Sequence, residues 1–379
     1  MKKFVFIVLL FTALPCSAAQ RAKNVILFIG DAGGLMVVNL ASSAIKGRPQ
    51  ALFIQQMPHI GLMETSAAAD WVTDSAAAMT AIVTGYKTQN GVISQSASAV
   101  RGQKDGDSLK TILEYAEEHG LSTGIITDDD VTAATPAALY AHANDRKKAG
   151  EIFVQLLKPR FGDGVDILIG EGKTVMNENP PPAWNRMESG LREKGYSVMK
   201  SLGEFQPTAQ RAIVLLGPED YDLSTAVRRA RESLSRNKKG YFLMVEVDVH
   251  TSQLKRGLER VVVLDRLIEE TVRSVKNDTL VIFAADHSYD TRLRGGKIGG
   301  QLLPPETAGT PTPAGTAGAQ KTAAPLPPIR IGEGHSGEEV VVAAQGPGAE
   351  RVKGFFSNTQ LFHIMMSAYG WRPEKSPGK

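Results

Sequence analysis

The chain has 379 residues, of which 42% are hydrophobic and 22% are charged, so it is long enough to bury one large core. Its 43 basic and 40 acidic residues give a net charge of +3. The basic residues are scattered and form no platform with aromatic residues, so nothing in the sequence indicates nucleic-acid readout. A single cysteine, Cys16, excludes a disulfide framework and any cysteine-rich zinc site. Composition therefore predicts a globular protein.

The first nineteen residues have the pattern of a signal peptide. Lys2 and Lys3 precede the apolar stretch 4–15, which is too short to span a bilayer comfortably, and small residues at 17–19 form a cleavage site before Gln20. We therefore expect a periplasmic or secreted bacterial protein, with no stable membrane span after cleavage. The alternatives are an uncleaved membrane anchor and a lipid anchor on Cys16, although Pro15 directly before that cysteine argues against the lipid.

Apolar periodicity predicts a mixed α/β protein. Short apolar, β-branched runs predict strands at residues 24–29, 122–126, 165–169, 212–216, 241–245, 279–284 and 340–344. Apolar residues at three- and four-residue spacing predict helices at 108–119, 224–235 and 255–274. Strands that are apolar on both faces and alternate with helices indicate a large, mostly parallel β-sheet with helices on both faces.

One segment differs from the rest in composition. Residues 301–328 hold seven of the 20 prolines, many Ala, Gly and Thr, and only two charges, Glu306 and Lys321. Such a segment cannot bury enough apolar area to offset its ordering entropy. We expect a flexible insertion in one catalytic domain spanning 20–379. A linker to a second domain is the alternative, but too few residues follow for a comfortable second core.

Carboxylates and imidazoles follow three predicted strands or directly precede the last one: Asp31, Glu246, Asp248, His250, Asp286, His287 and His335. The carboxyl ends of parallel strands share one edge of a sheet, where active sites form. Clustered carboxylates repel each other unless a cation neutralises them, and carboxylate plus imidazole is a ligand set typical of zinc. The alternative for each position is a turn residue without a metal.

Ser75 falls at or near the beginning of a predicted helix, because Ala76 starts a run of strong helix formers. Helix N-termini favour anions, and phosphate above all. Serine is a poor nucleophile at neutral pH, but coordination to a metal would hold it as an alkoxide. The alternative is that Thr73, Asp74 or Ser75 merely caps the helix.

The chain resembles the alkaline phosphatases, since six of their motifs occur here in the same order. They lie at residues 24–31 (NVILFIGD), 72–78 (VTDSAAA), 134–142 (ATPAALYAH), 242–246 (FLMVE), 285–287 (ADH) and 334–337 (GHSG). The similarity extends from about residue 23 to about residue 370. It implies the alkaline-phosphatase-like three-layer sandwich and a centre that holds two zinc ions and one magnesium ion.

The resemblance also implies roles for individual metal ligands. Asp31 matches an aspartate that bridges one zinc and the magnesium, and Asp286 and His287 match the rest of the second zinc site. His250 and His335 match two ligands of the first zinc site.

Three further matches concern catalysis and magnesium. Ser75 matches the nucleophile that becomes phosphorylated, and Arg146 matches the arginine that grips the phosphoryl group with a bidentate fork. Thr135 matches a magnesium ligand. Two positions depart from the family pattern: Ala32 replaces a usual glycine, and Ala133 replaces an Asp or His beside the magnesium.

The largest departure is the segment 246–250, where three family ligands that are usually spread over about ten positions occupy five. Either Glu246 serves magnesium and Asp248 serves zinc, or Glu246 has replaced the zinc aspartate. In the second alternative, the helix that follows, including Asp265, aligns with the family pattern without a gap. We expect both Glu246 and Asp248 to be ligands.

These matches predict a secreted, metal-dependent phosphomonoesterase that acts on small phosphate monoesters through a phosphoserine on Ser75. A homodimer is compatible with this prediction. A phosphodiesterase or a sulfatase on the same scaffold is the alternative. Ser75 lacks the Cys/Ser-x-Pro/Ala-x-Arg context of sulfatases, and Arg146 favours monoesters over diesters. An inactive phosphate-binding protein is the alternative from a different class.

Overall fold

The computed structural model describes residues 20–178, 183–208, 211–217, 221–298, 300–303 and 328–374. Within these ranges the strands are β1 (Asn24–Asp31), β2 (His59–Glu64), β3 (Ser122–Asp130), β4 (Ile167–Glu171), β5 (Tyr196–Met199), β6 (Arg211–Leu216), β7 (Tyr241–Asp248), β8 (Thr279–Ala285), β9 (Ser288–Leu293), β10 (Ile329–Ser336), β11 (Val340–Gln345) and β12 (Gly354–Ser357). The α-helices are α1 (Leu35–Leu40), α2 (Ser75–Thr84), α3 (Ile112–Glu118), α4 (Ala134–Tyr140), α5 (Ala149–Phe153), α6 (Lys173–Glu178), α7 (Ala183–Glu193), α8 (Leu223–Leu234), α9 (Leu254–Ser274) and α10 (Asn358–Tyr369).

Ten of these strands form one sheet in the order β12-β2-β11-β8-β1-β7-β3-β4-β6-β5. From β8 to β5 every neighbouring pair is parallel, which confirms the predicted mostly parallel sheet. β11 runs antiparallel to both β2 and β8, a direction that its sequence did not reveal. β9 and β10 form a separate antiparallel pair.

The predicted elements are present, with corrected ends. The predicted helix at 108–119 begins only at Ile112, because Thr111 Oγ1 accepts from the Glu114 amide and Glu114 Oε2 accepts from the Thr111 amide. This capping box fixes the first turn of α3. β7 extends to Asp248, three residues beyond its predicted end. The strands that prediction missed, β2, β5, β9, β10 and β12, are short or lie towards the edges of the fold.

Alternating side chains on the central strand divide the core into two layers. Val25, Leu27 and Ile29 of β1 pack with residues of α2, α3 and α10 on one face of the sheet. Ile26 and Phe28 pack with residues of α8 and α9 on the other face. Burying each such side chain contributes about 1.5–3 kcal/mol, so helices on both faces hold the central strands in place.

The helix that begins at the predicted serine is buried on every side. All ten residues of α2 are buried, because its small side chains let it pack closely against α4 and α10. Asp74 caps its first turn by accepting from the Ala77 amide, and Gly85 ends it in the left-handed region at φ 80°. The helix therefore presents Ser75 from a rigid position.

Two predictions lie wholly or mostly outside the described residues. The signal peptide at 1–19 and its cysteine lie there, as does most of the predicted insertion at 301–328. On either side of that segment, Leu293 of β9 pairs with Ile329 of β10. None of the helices in the described ranges is long and apolar enough to cross a membrane.

Candidate active site

The carboxyl ends of three parallel strands bring the predicted carboxylates together. Asp31, the last residue of β1, lies opposite Asp248 of β7, and Gly30 lies opposite Ala285, the last residue of β8. Asp286 follows Ala285 directly. Residues that are far apart in sequence are therefore neighbours at this edge because of the strand order, as predicted from the strand ends.

Asp31, Asp286 and His287 form a compact set of donors. One ligand atom from each lies within 4.8 Å of the others. His287 Nε2 lies 3.3 Å from Asp31 Oδ1 and 3.3 Å from Asp286 Oδ2. Both of these carboxylate oxygens are buried and make no hydrogen bond within the described part of the chain. Buried, unpaired carboxylate oxygens that converge on an imidazole nitrogen fit a divalent cation such as zinc.

Burial also shifts the pKa values of Asp31 and His287. It raises the pKa of Asp31 well above its usual range, and the nearby carboxylate of Asp286 raises it further. Burial lowers the pKa of His287 to about 4, so its imidazole is neutral at physiological pH. Neutral imidazole is the form that binds metal, and a cation would relieve the repulsion between the two carboxylates.

Ser75 lies beside this set of donors. Its side chain is 3% exposed, and its Oγ lies 3.1 Å from His287 Nε2. Asp74, the capping residue of α2, pairs through Oδ2 with Arg146 Nη1 at 3.2 Å. Arg146 is partly exposed, and its ion pair with Asp74 holds it next to the residue that precedes Ser75. The structure thus brings the predicted nucleophile, arginine and second zinc site together.

The other two predicted histidines lie next to His287. The His335 ring stacks on the His287 ring at a centroid distance of 3.7 Å, and the His250 ring lies 5.7 Å from that of His335. His335 Nδ1 donates to the Thr73 carbonyl at 3.0 Å, which leaves Nε2 free to bind a cation. The rings of His250, His287 and His335 therefore lie together.

Glu246 occupies a different part of the site, near Thr135. Its Oε2 accepts from Thr127 Oγ1 at 2.5 Å, and Thr135 also hydrogen-bonds this carboxylate. Burial raises the pKa of Glu246 well above its usual range, and the charges of Asp31 and Asp129 raise it further. This arrangement brings Glu246 together with Thr135, a predicted magnesium ligand, as expected if Glu246 serves magnesium.

Asp248 points towards His250. Its Oδ1 accepts from His250 Nδ1 at 2.7 Å and from the His250 amide at 2.9 Å. Burial alone would lower the pKa of His250, but this hydrogen bond and the charges of Asp31, Asp248 and Asp286 raise it to about 9. Asp265 is remote from the site: its Oδ1 accepts from the Ile54 amide at 2.9 Å, which is a structural role.

Sequence reasoning missed an acidic run beside the site. Asp128, Asp129 and Asp130 end β3, next to β7 in the sheet. Asp128 pairs with Arg260 of α9, and its Oδ1 accepts from the Asp248 amide at 2.9 Å. The signal was present, because these aspartates follow a predicted strand just as Asp31 does.

The departure at Ala32 has a backbone consequence. Its φ is 62°, in the left-handed region where glycine is favoured, and its amide donates to Asp286 Oδ1 at 3.2 Å. A non-glycine residue in this conformation costs about 1–2 kcal/mol. The strained turn directs its backbone N–H at a predicted metal ligand.

A family model described as "Alkaline phosphatase" matches residues 22–211 and 183–312. Alkaline phosphatase H of Pseudomonas aeruginosa (strain UCBPP-PA14) is 29% identical over 434 residues, covering 93% of this chain and 86% of that one. Streptomycin-6-phosphate phosphatase of Streptomyces griseus is 28% identical over 435 residues, covering 95% and 93%. Thermus thermophilus alkaline phosphatase, at 22% identity, superposes with a TM-score of 0.77 and covers 93% of this chain and 92% of its own.

The ten-stranded sheet and its edge site therefore define an enzyme with the alkaline phosphatase fold. The alkaline phosphatase from the Antarctic bacterium TAB5 agrees, with a TM-score of 0.72 at 23% identity over 94% of this chain and all of its own. Because the family model covers most of the sequence, the chain belongs to the alkaline phosphatase family and is a phosphatase.

Proposed function

We propose that this phosphatase is a secreted, metal-dependent phosphomonoesterase that forms a phosphoserine on Ser75. The observation that carries the proposal is the 3.1 Å separation of Ser75 Oγ and His287 Nε2. It places a buried hydroxyl at the N-terminus of α2 directly against the carboxylate–imidazole donors. A nucleophile in that position meets both a site for cations and a helix end that favours phosphate.

The donor sets support three cations. Asp31, Asp286 and His287, with the Ser75 hydroxyl, would hold one zinc ion. The other two sets are His250 with His335 for the first zinc site, and Glu246 and Thr135 with Asp31 for magnesium. When bound, these ions would supply positive charge that lowers the pKa of the serine and neutralises the phosphoryl oxygens. A TAB5 alkaline phosphatase variant of the same fold has been solved with magnesium bound in its M3 site.

Within this proposal the residues of the chain perform a two-step transfer. Ser75 Oγ gives up its proton and attacks the phosphorus, and the bond from phosphorus to the ester oxygen breaks as that oxygen takes up a proton and leaves as the alcohol. Water then attacks the phosphoserine, the bond from phosphorus to Oγ breaks, Oγ regains a proton from the water, and phosphate is released. Arg146, held by Asp74, would bind two oxygens of the transferring group in both steps.

Small phosphate monoesters are the proposed substrates. The Arg146 guanidinium can donate two hydrogen bonds at once, which suits the doubly charged phosphoryl group of a monoester better than the singly charged group of a diester. The Streptomyces griseus relative is named for the phosphate monoester of a small molecule, which agrees with this choice. Export through the segment at 1–19 and assembly as a homodimer complete the proposal, and N-terminal sequencing of the secreted protein and light scattering test them.

The nucleophile is tested with purified protein, zinc and p-nitrophenyl phosphate. We expect Ser75→Ala to lose activity on the order of a thousandfold or more while retaining zinc, because the three histidines and Asp31 remain. Acid-quenched wild-type enzyme should carry phosphate on the peptide that contains Ser75.

Ser42→Ala is a matched control, since Ser42 is another fully buried, hydrogen-bonded serine outside the site. Retained activity in Ser75→Ala, with no phosphoserine detected, would exclude the covalent mechanism. A wild-type protein that binds phosphate and zinc but turns over no ester would instead be the inactive binding protein.

A further inference from the structure

We infer that Asp248 orients the His250 ring by accepting a hydrogen bond from its Nδ1 and is not itself a metal ligand. The first metal site is then built on His250 and His335. This inference rests on the proposed metal-dependent function and refines it. It departs from the expectation that Asp248 binds zinc.

The hydrogen bonds of the pair assign its proton. Asp248 Oδ1 lies 2.7 Å from His250 Nδ1, and a carboxylate only accepts, so Nδ1 must carry the hydrogen. The lone pair of the neutral ring is then on Nε2, which lies 3.9 Å from Asp31 Oδ1 and faces the other donors. A histidine that binds metal through one nitrogen and donates from the other to a carboxylate is a recurrent arrangement.

Asp248 is fixed in this orientation from two sides. Its amide donates to Asp128 Oδ1 at 2.9 Å, and its carbonyl accepts from Arg260 Nε. Arg260 in turn pairs with Asp128. β3 and α9 thus clamp the backbone of Asp248, and its carboxylate cannot swing towards the cluster without breaking the bonds to His250.

Exposure separates Asp248 from the buried ligands. Its side chain is 48% exposed, compared with 12% for Asp31 and none for Asp286. A carboxylate that faces water is stable without a cation, whereas the buried oxygens Asp31 Oδ1 and Asp286 Oδ2 lack a hydrogen-bond partner among the described residues.

The compressed segment explains why the carboxylate folds back. One residue separates Asp248 from His250, and Asp248 Oδ1 also accepts from the His250 amide at 2.9 Å. An aspartate that accepts from the amide two residues ahead forms an Asx-turn, which its short side chain favours. At this spacing the carboxylate lies beside the ring nitrogen of His250 nearest to the backbone.

The test compares two substitutions of Asp248 by zinc competition against a chelator. Asp248→Asn keeps an oxygen that accepts from His250 Nδ1, so we expect two zinc ions per chain and less than about a tenfold loss of affinity. Asp248→Ala removes the acceptor and should weaken the more loosely bound zinc by about 10–100-fold. Asp290→Asn is the control, because Asp290 lies on β9 and pairs with Arg292 outside the site.

A second readout uses the metal-free protein. In ¹⁵N NMR spectra recorded above the His250 pKa of about 9, where the ring is neutral, its Nδ1-protonated form should predominate in wild type and Asp248→Asn, and should be lost in Asp248→Ala. A merely structural role for Asp248 would not move this signature.

The outcomes are distinct. Loss of a whole zinc ion in Asp248→Asn, equal to that in Asp248→Ala, would make Asp248 a ligand and overturn the inference while leaving the proposed function intact. Unchanged affinity and an unchanged His250 spectrum in Asp248→Ala would also overturn it. Wild-type protein that binds no zinc would overturn the proposed function itself, and this inference with it.

Discussion

At the scale of single residues, Asp74 connects three parts of the site. One carboxylate oxygen accepts from the Ala77 amide in the first turn of α2 and from the Gly91 amide in the next loop, each at 3.1 Å. The other oxygen pairs with Arg146. The orientation of Arg146 therefore depends on the residue that caps α2, the helix of the proposed nucleophile.

Arg146 is predicted to discriminate between ester classes. We expect Arg146→Ala to lower kcat/KM for monoesters by about tenfold or more, or at least about 1.4 kcal/mol, and to affect diesters less. Arg146→Lys should recover only part of this loss, because one ammonium group cannot form the fork. Steady-state kinetics on p-nitrophenyl phosphate and bis-p-nitrophenyl phosphate measure the difference.

Arg101→Ala is the matched control for this experiment. Arg101 pairs with Asp145, the residue before Arg146, at 3.2 Å, whereas the ion pair of Asp74 is with Arg146. Its substitution should leave both reactions unchanged. Equal losses of monoester and diester activity in Arg146→Ala would show that the arginine does not bind the phosphoryl group.

At the scale of elements, the end of α2 is as constrained as its beginning. Gly85 adopts φ 80°, and a Cβ placed there would lie 2.7 Å from Phe362 Cδ1 of α10. Two effects, backbone strain and steric overlap, therefore oppose any side chain at this position. Because α2 carries the proposed nucleophile, a shift of this contact would displace Ser75 as well.

A pair of glycine substitutions separates the two effects. Gly47 has φ 75°, but a methyl group added there would meet no atom within 4 Å, so Gly47→Ala should cost only the strain of about 1–2 kcal/mol. Gly85→Ala should cost a further 1–3 kcal/mol, roughly, from overlap with Phe362. The denaturant concentrations at the unfolding midpoint compare the two variants. Equal shifts of the midpoint would mean that α10 moves to accommodate the methyl group at no cost in stability.

At the scale of the whole molecule, a buried carboxyl far from the site makes stability depend on pH. Glu117 of α3 accepts from Thr123 Oγ1 at 2.5 Å. Burial raises its pKa to about 8, and the charges of Asp166 and Asp163 raise it while Arg211 lowers it. The folded protein therefore holds a proton on this group that the unfolded chain, with an ordinary value of 4.5, releases.

The sign of the effect follows from proton binding. The contribution of protonated Glu117 to stability is fully present below about pH 4.5 and is lost as the pH rises through about 8. Glu117→Gln should remove this dependence, so we expect its melting temperature to rise relative to wild type between pH 5 and pH 9. A constant difference over that range would contradict the raised pKa.

Local sequence was sufficient to predict the central strands, the start of α2 and the chemical types in the site. Apolar runs predicted the strands around β1, and the residues after them supplied Asp31, Asp286 and His287. These features are local, because strand propensity, helix capping and strand-end position depend on neighbours in sequence. The capping box of Thr111 and Glu114 is likewise a local sequence pattern, although the predicted helix began at residue 108 and α3 begins at Ile112.

Strand direction and the orientation of individual side chains, by contrast, depend on contacts between distant segments. Val340–Gln345 has the same apolar pattern as a parallel strand but runs antiparallel, because direction depends on the path of the chain before it. Asp248 has the residue type of a ligand, yet its carboxylate accepts from His250, while Asp128 and Arg260 from distant segments hold its backbone. A carboxylate points to its nearest donors, and packing of distant segments determines which donors those are.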